Sequence, residues 1–378
     1  MRGDSRDRAG SERIAEPQRR LLLTLHVDLG RDWRGGQGQA LLLLQGLQSR
    51  SHEAVLVAIE GSPLAARALA TGVRVHAVGP RAAPLHAAIL LRKLLGQGRL
   101  GVVHCHDAHA LTAAWLAGAH QRAKVVASRR LAYPLSRSPW GLARYRSARR
   151  IAAVSEFVRD SVLASGLPAD QVEVVYDGVA APPLCSEEER NQARRLWISD
   201  PQAPLIGCVG YLLPEKGQEV LIRALPRVLK NRPDCRLLLA GDGPCRSRLE
   251  RLAAELGVES AVRFAGHVTD VVQVYRALDV FLFPSLAEPL GSSLLAAMSH
   301  WLPSVAVARG AVPEIIEDGH NGLLAPGPEP AGVASAIVRL LQDRLLCLRL
   351  GAAARQTIEQ RFTADRMVEA TLDLYRRL

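Results

Sequence analysis

Four short segments of the chain combine reactive side chains with the start of a helix. The richest is Phe281-Leu-Phe-Pro-Ser-Leu-Ala-Glu-Pro-Leu-Gly-Ser-Ser-Leu-Leu-Ala-Ala-Met. A hydrophobic strand ends at Pro284, a loop carries Glu288, and Leu290, Gly291, Ser292 and Ser293 lead into a helix. Unpaired N–H groups at such a start, with the positive end of the helix dipole, make a phosphate site. Gly291 lets an anion approach the backbone. A helix simply capped by Ser292 is the plain alternative. The second segment is Gly210-Tyr-Leu-Leu-Pro-Glu-Lys-Gly217, directly after a strand. Glycines at both ends and Lys216 near a helix start suit a diphosphate contact. The Walker pattern is missing, and a solvated loop lysine would look the same.

The third segment is Arg34-Gly35-Gly36-Gln-Gly38, after the first strand. It lets a helix start approach a ligand, but it is no dinucleotide fingerprint. Counted from Gly36, the third glycine falls on Leu41, so hydride transfer loses its main support. The fourth is His104-Cys-His106-Asp107-Ala108-His109. A two-metal pattern would need its acid at Ala108, and no Cys/His cluster elsewhere supplies further ligands. No metal is therefore expected. A strand-end histidine contacting a sugar or leaving group is the favoured reading, and a structural histidine cluster is the alternative. Finally, Arg122 to Arg150 holds nine basic residues, Arg129 and Arg130 among them, and no acidic one. Tyr133, Trp140 and Tyr145 interleave. Such a run suits an RNA, a bilayer headgroup surface, an acidic acceptor or a solvated basic face. RNA ranks low, because no RNA-binding module pattern is present and aromatics are only 4% of the chain.

These segments need a scaffold that brings strand ends and helix starts to one place. Short apolar runs at Leu21–Val27, Val55–Ile59, Val73–Val78, Val102–Cys105, Val125–Ser128, Ile151–Val154 and Val172–Val175 read as strands. After a Pro-rich break over 179–203, the rhythm restarts at Leu205–Val209, Arg236–Ala240, Val262–Phe264, Val280–Phe283 and Ser304–Val307. Helices are expected at Gln39–Gln48, Gln218–Leu229, Cys245–Leu256, Val271–Leu278, Ser292–Ser299 and Ala364–Leu378. Continuously apolar strands alternating with helices imply α/β architecture, with parallel sheets covered on both faces. Residues 1–18 read as a disordered leader, 19–182 as one doubly wound Rossmann-like domain and 183–378 as another. The final helix, about 364–378, is expected to pack back on the first domain. Two such domains face each other across a cleft lined by strand C-termini.

Length and composition agree. The chain has 378 residues, 48% hydrophobic and 22% charged, which suits two globular domains. No apolar run is long enough to span a membrane or to form a signal peptide. Six cysteines without a Cys-x-x-Cys pair read as reduced, cytoplasmic thiols. The charge is lopsided: residues 1–182 hold 25 basic and 14 acidic side chains, and the remainder 23 of each. The first half is thus expected to face something anionic, a membrane surface included.

Together the segments resemble the retaining glycosyltransferases of family 4, which have the GT-B fold. The resemblance runs from about Leu21 to Gln342. It is carried by Arg34-Gly-Gly, His104-Cys-His-Asp-Ala-His, Ile151-Ala-Ala-Val-Ser-Glu-Phe-Val, Val174-Val-Tyr-Asp-Gly-Val, Pro214-Glu-Lys-Gly and Leu239-Ala-Gly-Asp-Gly-Pro. Val262-Arg-Phe-Ala-Gly-His, Glu288-Pro-Leu-Gly and Pro313-Glu-Ile-Ile-Glu-Asp-Gly-His-Asn-Gly continue it. Ser128-Arg-Arg-Leu-Ala-Tyr-Pro-Leu with Arg144-Tyr-Arg looks like a bacterial subgroup that acts on envelope glycans or lipids.

The resemblance implies transfer of a sugar from a nucleotide-diphosphate donor to a glycan or lipid-linked acceptor, with no metal, cofactor or nucleic acid. The second half would bind the donor. Glu288 would contact the sugar, and Gly210, Lys216 and Leu290–Ser293 the diphosphate. Gly241, Gly243 and His267 would line the nucleotide side. The first half would bind the acceptor, with Gly35, Gly36, His106, Asp107, Arg129 and Arg130 in the cleft. Lys216, Glu288 and His106 would be the catalytic set. Two positions depart from the family pattern. The second acid of Glu-x7-Glu is Ala296, and the arginine often following the first glycine is Tyr211. A charged hydrogen bond to the donor lost this way costs roughly 1.5–3 kcal/mol. These departures keep two other readings open: a nucleotide-sugar-binding protein without turnover, and a GT-B sugar-nucleotide epimerase.

Overall fold

The computed structural model describes residues 23–98, 101–136 and 138–378. The leader expected at 1–18 lies outside the described residues. The first lobe is a seven-stranded parallel sheet. Its strands are β1 (Thr24–Asp28), β2 (Ala54–Ile59), β3 (Arg74–Val78), β4 (Val102–Cys105), β5 (Lys124–Arg129), β6 (Arg150–Ala153) and β7 (Val172–Val174). Helices α1 (Gly35–Ser49), α2 (Pro63–Ala70), α3 (Ala83–Leu95), α4 (Ala108–Leu116), α5 (Pro139–Arg146) and α6 (Glu156–Leu163) connect them.

After α7 (Glu187–Arg195), the second lobe builds a six-stranded parallel sheet from β8 (Leu205–Val209), β9 (Arg236–Ala240), β10 (Val262–Gly266), β11 (Val280–Phe283), β12 (Ser304–Val307) and β13 (Leu323–Ala325). Its helices are α8 (Gln218–Asn231), α9 (Arg246–Glu255), α10 (Val272–Ala277), α11 (Ser292–Ser299), α12 (Val312–Ile315), α13 (Pro330–Gln342) and α14 (Arg344–Arg361). The strands β1, β2, β4, β11 and β12 are buried along their whole length, as expected of a sheet covered on both faces.

The sheet orders are β3-β2-β1-β4-β5-β6-β7 and β10-β9-β8-β11-β12-β13. Strand order reverses between β1 and β4 in one lobe and between β8 and β11 in the other. Loops diverge at these two points and open a crevice at the strand C-termini. All four segments singled out from the sequence leave the sheets there. A last helix, α15 (Ala364–Arg376), crosses to the first lobe, where Val368, Leu372 and Tyr375 share a core with Leu43, Leu44 and Leu47 of α1. The crossing is stitched by a bridge between Val179 and Thr363.

Two elements differ from the sequence reading in an informative way. Helix α1 begins at Gly35 rather than at Gln39, because its first turn is glycine-rich and carries no apolar period. The three-residue strand β13 is too short to stand out as an apolar run.

Candidate active site

In the second lobe, the loops after β8 and β11 are locked together. Gly217 has φ +69°, and a Cβ there would lie 2.2 Å from the Pro284 carbonyl oxygen. Only glycine allows that turn and that approach. The Leu286 amide then donates to Glu215 O at 2.8 Å. This packing carries Lys216 to Glu288, whose Oε2 accepts from Lys216 Nζ at 2.8 Å and from Ser285 Oγ at 2.8 Å. Glu288 and Ser285 are buried, while the Lys216 side chain is about one-third exposed. The Glu288 carbonyl also accepts the Ala311 amide at 3.0 Å. Ser285 is a site residue that the sequence reading did not single out, although it stands three places before Glu288 in the same loop.

Beside this pair, α11 starts at Gly291, which has φ +116° and gives the helix no side-chain cap. No acidic residue occupies the first turn. The N–H groups of Ser292 and Ser293 therefore have no side-chain cap, and no first-turn carboxylate offsets the dipole. Leu290, which precedes Gly291, is buried. Along the same strand edge, the Gly210 amide donates to Ala240 O at 2.9 Å and the Gly241 amide to Gly266 O at 2.8 Å. Gly243 packs against Leu212, and His267 is exposed at the end of β10. These residues thus form one continuous edge with Lys216. Ala296 lies one turn inside α11 and brings no carboxylate.

In the first lobe, β1 pairs with β4 so that His26 lies opposite His104. His106 follows at the strand end, and the three imidazoles stack in the core. Each brings a ring nitrogen within 4.8 Å of the others. A zinc ion would hold such nitrogens about 3.3 Å apart, given bonds of about 2.0 Å. Here all six ring nitrogens already have partners. Arg130 can only donate, so its 3.5 Å contact makes His106 Nδ1 an acceptor. His106 Nε2–H then donates to His26 Nδ1 at 3.0 Å, and His26 Nε2–H to Thr24 Oγ1 at 3.0 Å. His104 is held by Tyr375 and Ser128, at 2.5 and 2.8 Å. Burial pushes the His26 pKa down to about 3. Burial, then the neighbouring histidines and Arg130, hold His106 well below its usual range. The cluster is neutral at pH 7.

Arg130 and Arg129 part company. Arg130 Nε donates to buried Asp177 at 2.9 Å, and its side chain lies 3.8 Å from where a Gly36 Cβ would be. Arg130, His106 and Gly36 thus meet at the cleft. Arg129 is turned into the lobe, where it donates to Tyr133 O and the Tyr145 hydroxyl. Asp107 caps α4, accepting from the His109 and Ala110 amides, and braces the loop after β1 through the Leu29 amide. The aspartate immediately before a helix was the available sequence signal for that role.

The two edges meet. A Cβ on Gly35 would lie 3.1 Å from Ser292 Oγ, and the Arg34 guanidinium stands 5.7 Å from the Tyr211 ring. Ser155 Oγ donates to Pro289 O at 2.5 Å. Glu314 caps α6 from the other lobe, accepting the amides of Glu156 and Phe157 at 2.9 and 2.8 Å.

Two family models match the chain, one on each lobe. Residues 33–181 match "Glycosyltransferase Family 4", and residues 203–343 match "Glycosyl transferases group 1". A D-inositol 3-phosphate glycosyltransferase of Acidothermus cellulolyticus is 31% identical over 332 residues, covering 77% of this chain and 70% of its own. The chain belongs to glycosyltransferase family 4. A GDP-mannose-dependent phosphatidylinositol monomannoside mannosyltransferase of Mycobacterium tuberculosis is 30% identical over 236 residues, 59% of this chain and 60% of its own. Against the first of its curated relatives, the family 4 chain spans 52–60% of their length. Its fold is GT-B. Anabaena HepE, solved in complex with UDP and glucose, superposes with a TM-score of 0.82 at 21% identity, covering 94% of this chain and 100% of its own.

Proposed function

We propose that the chain transfers a glycosyl group from a nucleotide-diphosphate sugar to a cell-envelope glycan or lipid-linked acceptor, with retention and without a metal ion. The observation that carries this reading is the Lys216–Glu288 pair set beside the uncapped start of α11. When the glycosidic bond to the diphosphate breaks, negative charge grows on the departing phosphate oxygens. A fixed ammonium and fixed backbone N–H groups stabilise that charge with little reorganisation. Glu288, held by Ser285, orients the donor sugar. Gly241, Gly243 and His267 line the nucleotide side. Across the cleft, neutral His106 offers Nδ1 to a sugar hydroxyl in exchange for its long contact with Arg130. The relatives bear on acceptor class by name only: one acts on a phosphatidylinositol mannoside.

A thermal-shift screen with UDP-, GDP- and ADP-sugars tests the donor site. A ligand at a hundred times its dissociation constant adds about 2.7 kcal/mol of stability. Stabilisation by one nucleotide series is expected, and none from any series would sink the reading. Turnover in EDTA tests metal independence, and the anomeric configuration of the product tests retention. Ala296 favours the reading without turnover. Labelled sugar on an acceptor would exclude it, and epimerised donor in the absence of acceptor would mark the epimerase.

We also propose cytoplasmic residence with peripheral binding to anionic membranes. The basic run from Arg122 to Arg150 displays Trp140, Tyr133 and Leu131 at 72%, 58% and 49% exposure. No helix among the described residues is long and apolar enough to cross a membrane. Sedimentation with acidic vesicles at low salt, reversed at high salt, is the expected signature.

A further inference from the structure

A diphosphate carries more than one negative charge. The second lobe meets it with the ammonium of Lys216, which Glu288 already offsets at 2.8 Å, so the pair is neutral as a whole. Tyr211, in the same loop after β8, is half-exposed and brings no charge. The side chains described so far therefore leave the diphosphate under-neutralised.

The first lobe brings a cation to this loop. The Arg34 guanidinium carbon stands 5.7 Å from the centre of the Tyr211 ring, within cation–π range. The next residue, Gly35, is the first of α1, and a Cβ there would lie 3.1 Å from Oγ of Ser292, the first residue of α11. Consecutive Cα atoms are only about 3.8 Å apart, so an arginine side chain at 34 can span to the start of α11. Its present tie is weak. The contact with Asp32 is 3.5 Å long and both side chains are exposed, so water screens it. Arg130, by contrast, is fixed on buried Asp177 at 2.9 Å.

The helices supply a second reason for an anion between the lobes. Neither α1 nor α11 has an acidic residue in its first turn, and their positive ends come together where Gly35 meets Ser292. Two like ends so close repel, and an anion set against both relieves the repulsion.

We propose that Arg34 is a donor-binding residue supplied by the first lobe, whose guanidinium leaves Asp32 and takes a phosphate oxygen of the diphosphate at the start of α11. The inference rests on the transferase reading and deepens it: the donor is neutralised from both lobes, and the charge that position 211 does not bring comes from position 34.

Isothermal titration of the full chain with UDP, GDP and ADP, each against its monophosphate, reads the contact. One diphosphate is expected to bind more tightly than its monophosphate. Arg34→Gln should weaken that diphosphate roughly tenfold or more, as a charged hydrogen bond is lost, and leave the monophosphate unchanged. Adding Tyr211→Arg to Arg34→Gln should restore the preference, which a merely structural role for Arg34 would not allow. Equal weakening of both nucleotides, an unchanged diphosphate affinity with an unchanged melting temperature, or no restoration by Tyr211→Arg would each overturn the proposal. If a diphosphate binds the wild-type chain and Arg34→Gln binds it equally well, this inference fails alone. If none of the three binds the wild-type chain, the transferase reading fails.

Discussion

Lys216 and Glu288 lie 72 positions apart in the chain and 2.8 Å apart in space. The ammonium is therefore held in the loop that leads into α11, by a carboxylate that Ser285 holds from the other side. Lys216→Ala removes the cation, and Glu288→Gln removes the charge that orients it. Each is expected to lower transfer by about a hundredfold or more, the scale of losing one preorganised charge-stabilising group. Circular dichroism melts should show both variants folded. Unchanged turnover in both would defeat the site assignment.

Gly35 gives a second test, of how closely the lobes must meet. Its missing side chain leaves 3.1 Å between an added Cβ and Ser292 Oγ. Gly35→Ala asks only that the serine hydroxyl give way. Gly35→Val places two further carbons in the same gap and holds the lobes apart. A misplacement of about 1 Å costs about a hundredfold in rate when reacting groups must align. Gly35→Val should thus lose kcat while donor affinity, measured by titration with whichever nucleotide sugar stabilises the wild-type chain, stays close to wild type.

The scaffold was largely legible because the strands are uniformly apolar and the helices between them are not. His106, Lys216 and Glu288 follow strands β4, β8 and β11, which flank the two order reversals, so strand ends alone placed them near the crevice. Adjacent arginines show where legibility stops. Arg129 and Arg130 are alike in sequence, yet one is the last residue of β5 and turns inward, and the next leaves the strand and meets Asp177. Side-chain direction alternates along a strand, and no spacing reveals which parity faces the cleft. Glu314 was quoted for its motif but not for its partner, because a cap supplied by another lobe leaves no local signal.

Removal of that cap should be measurable. Glu314 satisfies two first-turn amides of α6 and accepts the Tyr176 hydroxyl at 3.0 Å. Glu314→Ala leaves all three without their carboxylate, and the loss of a helix cap costs about 0.5–2 kcal/mol. A thermal melt should register it. Tyr176 supplies a reporter that general destabilisation would not move. Burial first, and then the neighbouring Glu314 charge, push its phenol up to about 12. Spectrophotometric titration of the folded variant should place tyrosine ionisation lower. An unmoved titration would mean that the cap is not formed in solution.

The buried histidines make stability depend on pH in a predictable direction. His26, His104 and His106 are all held below the ordinary imidazole range by burial, His26 at about 3. The unfolded chain therefore binds more protons than the folded one between about pH 6.5 and the folded values, and stability falls with falling pH across that window. It is fully present above about pH 6.5. Asp28 and Asp177, raised chiefly by burial, have the opposite sign, since their neutral forms are favoured in the fold. Their effect belongs to the carboxylate range and opposes the histidines only at the acid end. Melting temperatures should thus decline from pH 7 toward pH 5, before the carboxylates intervene. His26→Gln, which keeps hydrogen-bonding capacity but cannot titrate, should flatten part of that slope. If the slope persists undiminished in His26→Gln, the imidazole is charged in the folded chain, and the neutral relay from Arg130 through His106 to Thr24 is wrong.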